Sequence, residues 1–353
     1  MRRNTHPKQI SLFDAAQDRS IAERERERVK GWSRHIFHTI ISVENLLSAW
    51  REFLCGKRRR KDVAEFCMNL TDNILVLHCE LTNKSYSHGP YHAFKINDPK
   101  PRDIHKAIVR DRLLHHAIYR VLYPYFDRKF IFDSYSCRFD KGTYRATNRF
   151  MEYAGKVSRN HTRSAWVLKC DIRKFFASID HKILKHILSR HIEDRDALWI
   201  LSEIIDSFHT EDNPGVGLPL GNLTSQLLVN IYMNEFDQFL KRELKVRYCV
   251  RYADDFVIVH ENRRHLESLL LQISDFLKTR LKLSLHPDKV FIRTFASGVD
   301  FLGWVHFLHH RVLRTSTKRR MFKNFNTENA ASYQGLLKHG NTYKLRREML
   351  KYP

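Results

Sequence analysis

Cysteine is sparse in this sequence and scattered. The six residues Cys55, Cys67, Cys79, Cys137, Cys170 and Cys249 lie far apart and never form C-x-x-C. That spacing argues against a disulfide scaffold and against a cysteine-based zinc module; reduced thiols in a cytoplasm are the expectation. No signal-peptide pattern opens the chain, and no uninterrupted apolar run approaches the roughly 18 residues a membrane span needs. A membrane partner is therefore not expected. Acidic residues are also in deficit: 39 Asp+Glu stand against 62 Lys+Arg, a formal net charge of +23. An excess of that size favours a polyanion, because every phosphate neutralised releases condensed counterions. A merely solvated surface is the competing account. The stretch His306–His310 is rich in histidine but lacks the Cys or carboxylate partners of a zinc site. No internal repeat is present.

What remains is enough to fold. Apolar residues make up 42% of the 353 residues, sufficient for two or three modest cores. Residues 1 to about 30 are polar and highly charged, as in a flexible arm or solvated helix. From Trp32 to about Leu81 apolar residues recur at helical spacing, interrupted by the basic turn Gly56–Lys61. Pro90, Pro99 and Pro101 mark a loop-rich, strand-like passage. The pattern then predicts a helix from about Arg102 to Tyr123, stopped by Pro124, and a hairpin-like stretch from Phe130 to Tyr144. Further on, strands and helices interleave without a regular βαβ repeat, which predicts an α+β fold.

Two acidic positions stand out from their surroundings. In the run Val246–His260, residues of high β propensity flank the adjacent pair Asp254 and Asp255. Acids are poor strand residues, and at a hairpin tip they would be pressed together despite their repulsion. A solvated turn would tolerate them; a divalent cation would neutralise them, and carboxylate oxygens are what Mg²⁺ selects. Upstream, the apolar strand Ala165–Cys170 runs directly into Asp171, with Ser178 expected to cap the following helix. If that strand and the hairpin share an antiparallel sheet, three carboxylates converge. They could then hold two metals, one to activate a primer 3′-hydroxyl and the other to stabilise leaving pyrophosphate.

Tyr252-Ala253-Asp254-Asp255 resembles the Y-x-D-D box of reverse transcriptases, and Lys169–Asp180 resembles the strand carrying their first catalytic aspartate. The resemblance runs in ordered blocks from about Trp32 to the C-terminus. It implies a right-hand polymerase: an arm at 1–30, N-terminal helices and fingers at 31–160, a palm (with part of the fingers) at 161–310 and a short basic thumb at 311–353. It implies that Asp171, Asp254 and Asp255 bind two Mg²⁺ ions (Mn²⁺ as a substitute), with the Ile172 backbone supporting the second metal. Phe176 would lie under the sugar and exclude a ribonucleotide, or else be a core residue beside Phe175. Arg138 and Lys141 in Phe132–Gly142 fall in a block similar to the fingers hairpin and would contact the incoming dNTP, with Lys289, Leu220 and Gln226. Arg110, Arg112, Tyr252 and Gly303 would touch primer or template, although Arg110 and Arg112 could equally form helix ion pairs. The implied partners are an RNA template, a DNA or RNA primer and dNTPs.

Within that family, Leu220-Gly221-Asn222-Leu223-Thr224-Ser225-Gln226 looks like the form found in diversity-generating retroelements of bacteria and phages. Many reverse transcriptases carry Gln at the Leu220 position and Ser-Pro at Ser225-Gln226. Membership implies copying a template-repeat RNA with errors opposite adenines, for mutagenic retrohoming, aided by a basic helical accessory protein oligomer. The alternatives are an antiphage-defence or other prokaryotic reverse transcriptase, or an RNA-binding module that keeps the fold without the chemistry.

Overall fold

A computed structural model describes residues 35–97, 101–211, 213–326 and 328–349. The expected arm at 1–30 lies outside the described residues. The chain opens with helices α1 (Ile36–Ile41), α2 (Val43–Phe53), α3 (Lys61–Met68) and α4 (Leu70–Thr82). Ser42 starts α2 by accepting the Asn45 amide on its hydroxyl, 3.2 Å away. The basic turn between α2 and α3 passes through Gly56 at φ +67°, left-handed backbone that glycine adopts at no steric cost.

Strands β1 (Tyr91–Ile96) and β2 (Arg102–Ala107) then pair antiparallel, Tyr91 opposite Ala107. Helix α5 (Val109–Asp127) follows. The expected helix from Arg102 is thus corrected: its first six residues are a strand, because pairing with β1 satisfies their backbone. Nor does Pro124 end the helix; it sits inside α5. It removes one amide donor near the C-terminal end, where buried Tyr123 and Phe126 anchor the last turn. The hairpin expected at 130–144 is also absent among the described residues. That segment bonds instead to a later strand, with the Tyr135 amide donating to the Arg251 carbonyl and the Arg251 amide to the Asp133 carbonyl, each at 2.9 Å. Helix α6 (Thr143–Val157) follows it.

The central sheet comprises β3 (Trp166–Asp171), β4 (Cys249–Tyr252), β5 (Asp255–His260) and β6 (Phe291–Thr294), in the order β4-β5-β3-β6 and antiparallel throughout. Between β3 and β4 lie α7 (His181–Ser189), α8 (Arg195–Asp206) and α9 (Leu223–Gln238); α10 (Arg263–Arg280) connects β5 towards β6. Ser178 does not cap α7. Asp180 does, accepting the Ile183 amide at 3.0 Å, since Ser178 is spent in a short 3₁₀ turn before it.

Period-two alternation divides the sheet between two cores. Leu168, Cys170, Phe256 and Ile258 enter a large core shared with α1–α5 and α7–α10, whereas Val167, Val250, Val257 and Val259 meet α6 on the other face. A second, three-stranded sheet of β7 (Val299–Phe301), β8 (Trp304–His306) and β9 (Arg311–Leu313) leads to α11 (Thr315–Lys323), α12 (Ala330–Leu337) and α13 (Tyr343–Met349). Trp304, Leu313, Met321, Leu337 and Met349 form a third small core there. Among the described residues no helix is long and apolar enough to cross a membrane.

Candidate active site

Register decides where the acids meet. Asp171 at the end of β3 lies directly opposite Asp255 at the start of β5, and Tyr252 lies opposite Asp255 on the other side. Directly opposed residues of antiparallel strands present their side chains on the same face. Asp254 sits in the two-residue turn between β4 and β5, with Ala253 left-handed at φ +55°. The Ile172 amide donates to the Asp254 carbonyl at 3.1 Å, tying the turn to β3, and the His286 amide donates to the Asp171 carbonyl at 2.8 Å. Asp171, Asp254 and Asp255 therefore line one cavity of about 1060 Å³.

Two lysines balance part of that charge. Lys289 Nζ lies 2.9 Å from Asp171 Oδ1, and the buried Lys169 Nζ lies 3.3 Å from Asp255 Oδ1. Asp255 Oδ1 is nevertheless buried without a well-formed hydrogen bond. Burial, opposed by Lys169 and reinforced by Asp171 and Asp254, pushes the Asp255 carboxyl up to about 7. Burial and the neighbouring Asp171 likewise raise Asp254, against Lys289 and Arg102. Among the described residues no three His, Cys, Asp or Glu side chains stand close enough to share a single ion. The donors are still all hard oxygens, and the crowding of three carboxylates, only partly offset by Lys169 and Lys289, with Asp255 Oδ1 buried and lacking a hydrogen bond, is a feature that divalent cations relieve.

Several other expected residues line the same cavity: Lys289, Tyr252 and Gly303. Gly303 has φ +86°, and a Cβ there would meet only Thr317 Oγ1 at 3.9 Å, so its need for glycine is conformational rather than steric. Others lie elsewhere. Arg138 spends its guanidinium on the Asp127 carboxylate at 2.6 Å and on the carbonyls of Ile131, Ser134 and Asp127. Lys141 donates to the Phe132 carbonyl and sits 3.5 Å over that ring. Arg110 pairs with its helix neighbour Asp111 and with Glu80 of α4, and Arg112 pairs with Asp62 of α3, so most of this pairing runs between helices rather than along one. Phe176 is half-buried edge-on to Phe175, and the Ile172 side chain is buried in the core while its amide donates to the Asp254 carbonyl. Leu220 offers its carbonyl to the His105 amide at 2.9 Å, and Gln226 is half-buried on α9.

The wall facing the acids was not singled out residue by residue from sequence. It consists of Arg102 at the start of β2 together with Arg314, Arg319, Arg320 and Lys323 around α11. Arg314 is oriented by Asp300 at 2.8 Å. A basic lobe opposite a carboxylate cluster suits a ligand that is both polyanionic and metal-associated.

Residues 96–306 match the profile of the family described as reverse transcriptase (RNA-dependent DNA polymerase). The chain belongs to this family. Its relatives include Protein YkfC of Escherichia coli (strain K12), 27% identical over 290 residues, 70% of this chain and 73% of that protein. The group II intron-encoded protein LtrA of Lactococcus lactis subsp. cremoris is 22% identical over 65% of this chain and 47% of its own length. The putative COX1/OXI3 intron 2 protein of Saccharomyces cerevisiae is 24% identical, over 39% and 23% respectively. The chain thus spans less than half of these two intron proteins. A Candida albicans telomerase solved with a fragment of telomeric RNA superposes with a TM-score of 0.50 at 11% identity, over 67% of this chain and 48% of that one. The architecture is α+β, of the right-hand polymerase kind. As a reverse transcriptase, the protein is an RNA-directed DNA polymerase.

Proposed function

We propose that this reverse transcriptase copies a template-repeat RNA into cDNA with errors concentrated opposite adenines, serving mutagenic retrohoming in a diversity-generating retroelement. The observation that carries catalysis is the convergence of Asp171, Asp254 and Asp255 on one cavity opposite a basic wall. Those three residues would hold two divalent cations, Mg²⁺ or Mn²⁺. When bound, such ions supply activation of the primer 3′-hydroxyl and neutralisation of charge on the leaving pyrophosphate. The remaining work belongs to the chain. Arg102 and the α11 cations hold phosphates in place, Lys289 and Lys169 limit repulsion among the acids, and positioning then does most of the catalysis.

Support for the retroelement assignment comes from the segment Leu220–Gln226. In the structure Leu220 lies outside the acid-lined cavity; on this reading it would meet the nascent pair only in the substrate complex, where an apolar side chain offers shape without polar contact, and losing about 1 kcal/mol of polar discrimination lowers selectivity several-fold. Leu220→Gln is expected to reduce misincorporation opposite adenine, measured by sequencing cDNA made on a defined RNA template. An unchanged error spectrum rejects that role. A basic helical accessory protein oligomer would be the natural partner. The intron-encoded relatives favour a second reading, a group II intron-type enzyme. Paired template and variable repeats in the neighbouring DNA separate the two.

A further inference from the structure

Beside the acidic turn, the palm interior holds an ion pair that the chemistry above leaves without a task. Arg251 in β4 is 1% exposed and Asp237 in α9 is fully buried. Their contact is two-pronged: Nε to Oδ1 at 2.7 Å and Nη2 to Oδ2 at 2.6 Å. Nη2 also donates to Ser134 Oγ at 2.9 Å, and Nη1 donates to the Ala253 carbonyl at 3.1 Å. The Arg251 backbone bonds in both directions with the 133–135 segment. One residue therefore joins α9, that loop and the turn carrying Asp254.

Stability alone is a weak reason for such a pair. Removing two charges from water offsets most of their attraction, and apolar replacements of similar volume are often as stable. The bond to Ala253 suggests a use. Ala253 holds left-handed backbone, which a residue with a Cβ adopts reluctantly, so something must hold the turn there. Its carbonyl is fixed from below by Arg251, and the next carbonyl, that of Asp254, is fixed from the side by the Ile172 amide. Between those two fixed points Asp254 has little freedom.

We propose that Arg251, anchored by Asp237, is a positioning residue for polymerisation: its buried guanidinium sets the Ala253–Asp254 turn so that the Asp254 carboxylate faces the cavity beside Asp171. The inference rests on the polymerase reading, and it differs from a purely structural role in what it predicts for a folded variant lacking the guanidinium.

The test uses the double variant Arg251→Met/Asp237→Leu, which removes both charges together and leaves neither buried alone. Melting temperature, single-nucleotide extension on an RNA template and Mn²⁺ binding by calorimetry without nucleic acid are measured for it and for wild type. A variant that melts as wild type should show kcat reduced about tenfold to a hundredfold, KM for the dNTP nearly unchanged and weakened Mn²⁺ binding. A folded double variant with wild-type kcat and wild-type Mn²⁺ binding overturns the proposal. Should that variant fail to fold, Arg251→Lys decides, because it keeps the charge against Asp237 but cannot reach the Ala253 carbonyl at the same time. Reduced kcat at a wild-type melting temperature then supports the proposal, and full kcat overturns it. Wild-type protein that extends no primer refutes the polymerase reading instead, and the Mn²⁺ comparison still judges the turn.

Discussion

His306 shows how a residue that looks chemical can be structural. It opens the histidine-rich stretch, yet it is buried in the core beneath the sheet, with its ring edge against Phe150 and Nε2 3.3 Å from the Phe301 carbonyl. Burial, with Arg311 adding and the Phe301 carbonyl opposing, lowers its pKa to about 4. The folded protein thus refuses a proton that the unfolded chain accepts near pH 6.5. The corresponding stability is complete above that pH and is lost as pH falls towards 4. His306→Phe should flatten the acid limb of stability, by up to about 3 kcal/mol near pH 4. Urea denaturation from pH 7 to pH 4 measures it, and parallel curves for the two proteins would show that this residue is not responsible. The three aspartates were legible because acids interrupt apolar strands. The ion pairs of Arg138, Arg110 and Arg112 were not, since the partners Asp127, Glu80 and Asp62 are brought to them by folding and leave no mark in local sequence. Arg102 was passed over because only the fold brings it to the cavity wall, and Arg251 reads in sequence as an ordinary strand residue.

At the scale of elements, the seam between β2 and the start of α9 ties the β1–β2 pair to the body that carries the central sheet. The Leu220 carbonyl and the Asn222 side chain both bond to the His105 backbone, the latter at 2.9 Å. Gly221 between them has φ +109°, and a Cβ there would lie 2.8 Å from Ile104 Cγ2. Gly221→Ala should therefore cost about 1–3 kcal/mol, lowering the melting temperature by several degrees. Calorimetric melting at wild-type temperature would mean that the seam yields freely. Sequence marked this segment through its resemblance to a retroelement block but not what it docks against. The same blind spot explains β2: six residues carry no strong local preference, and only the partner β1, reached across Pro99 and Pro101, makes them a strand. The central sheet was legible because β3, β4 and β5 are apolar enough to declare themselves without their neighbours.

For the whole molecule, the net charge of +23 gains meaning from where it collects. Arg314, Arg319, Arg320 and Lys323 line one cavity with Asp171, Asp254 and Asp255, so part of the basic excess lies where, on the proposed function, a primer–template duplex would pass. Arg319→Ala should weaken duplex binding similarly for all sequences and reduce the slope of log affinity against log salt by about 1. Anisotropy titrations at several salt concentrations report that slope; an unaltered one places Arg319 off the duplex path. The proposed activity depends on three acids sharing one catalytic task. Its most direct measurement is Mg²⁺-dependent extension of a primer on an RNA template by wild type and by Asp254→Asn at equal concentration. The variant should bind the duplex yet extend it about a hundredfold more slowly or worse. Equal rates for the two proteins would contradict it.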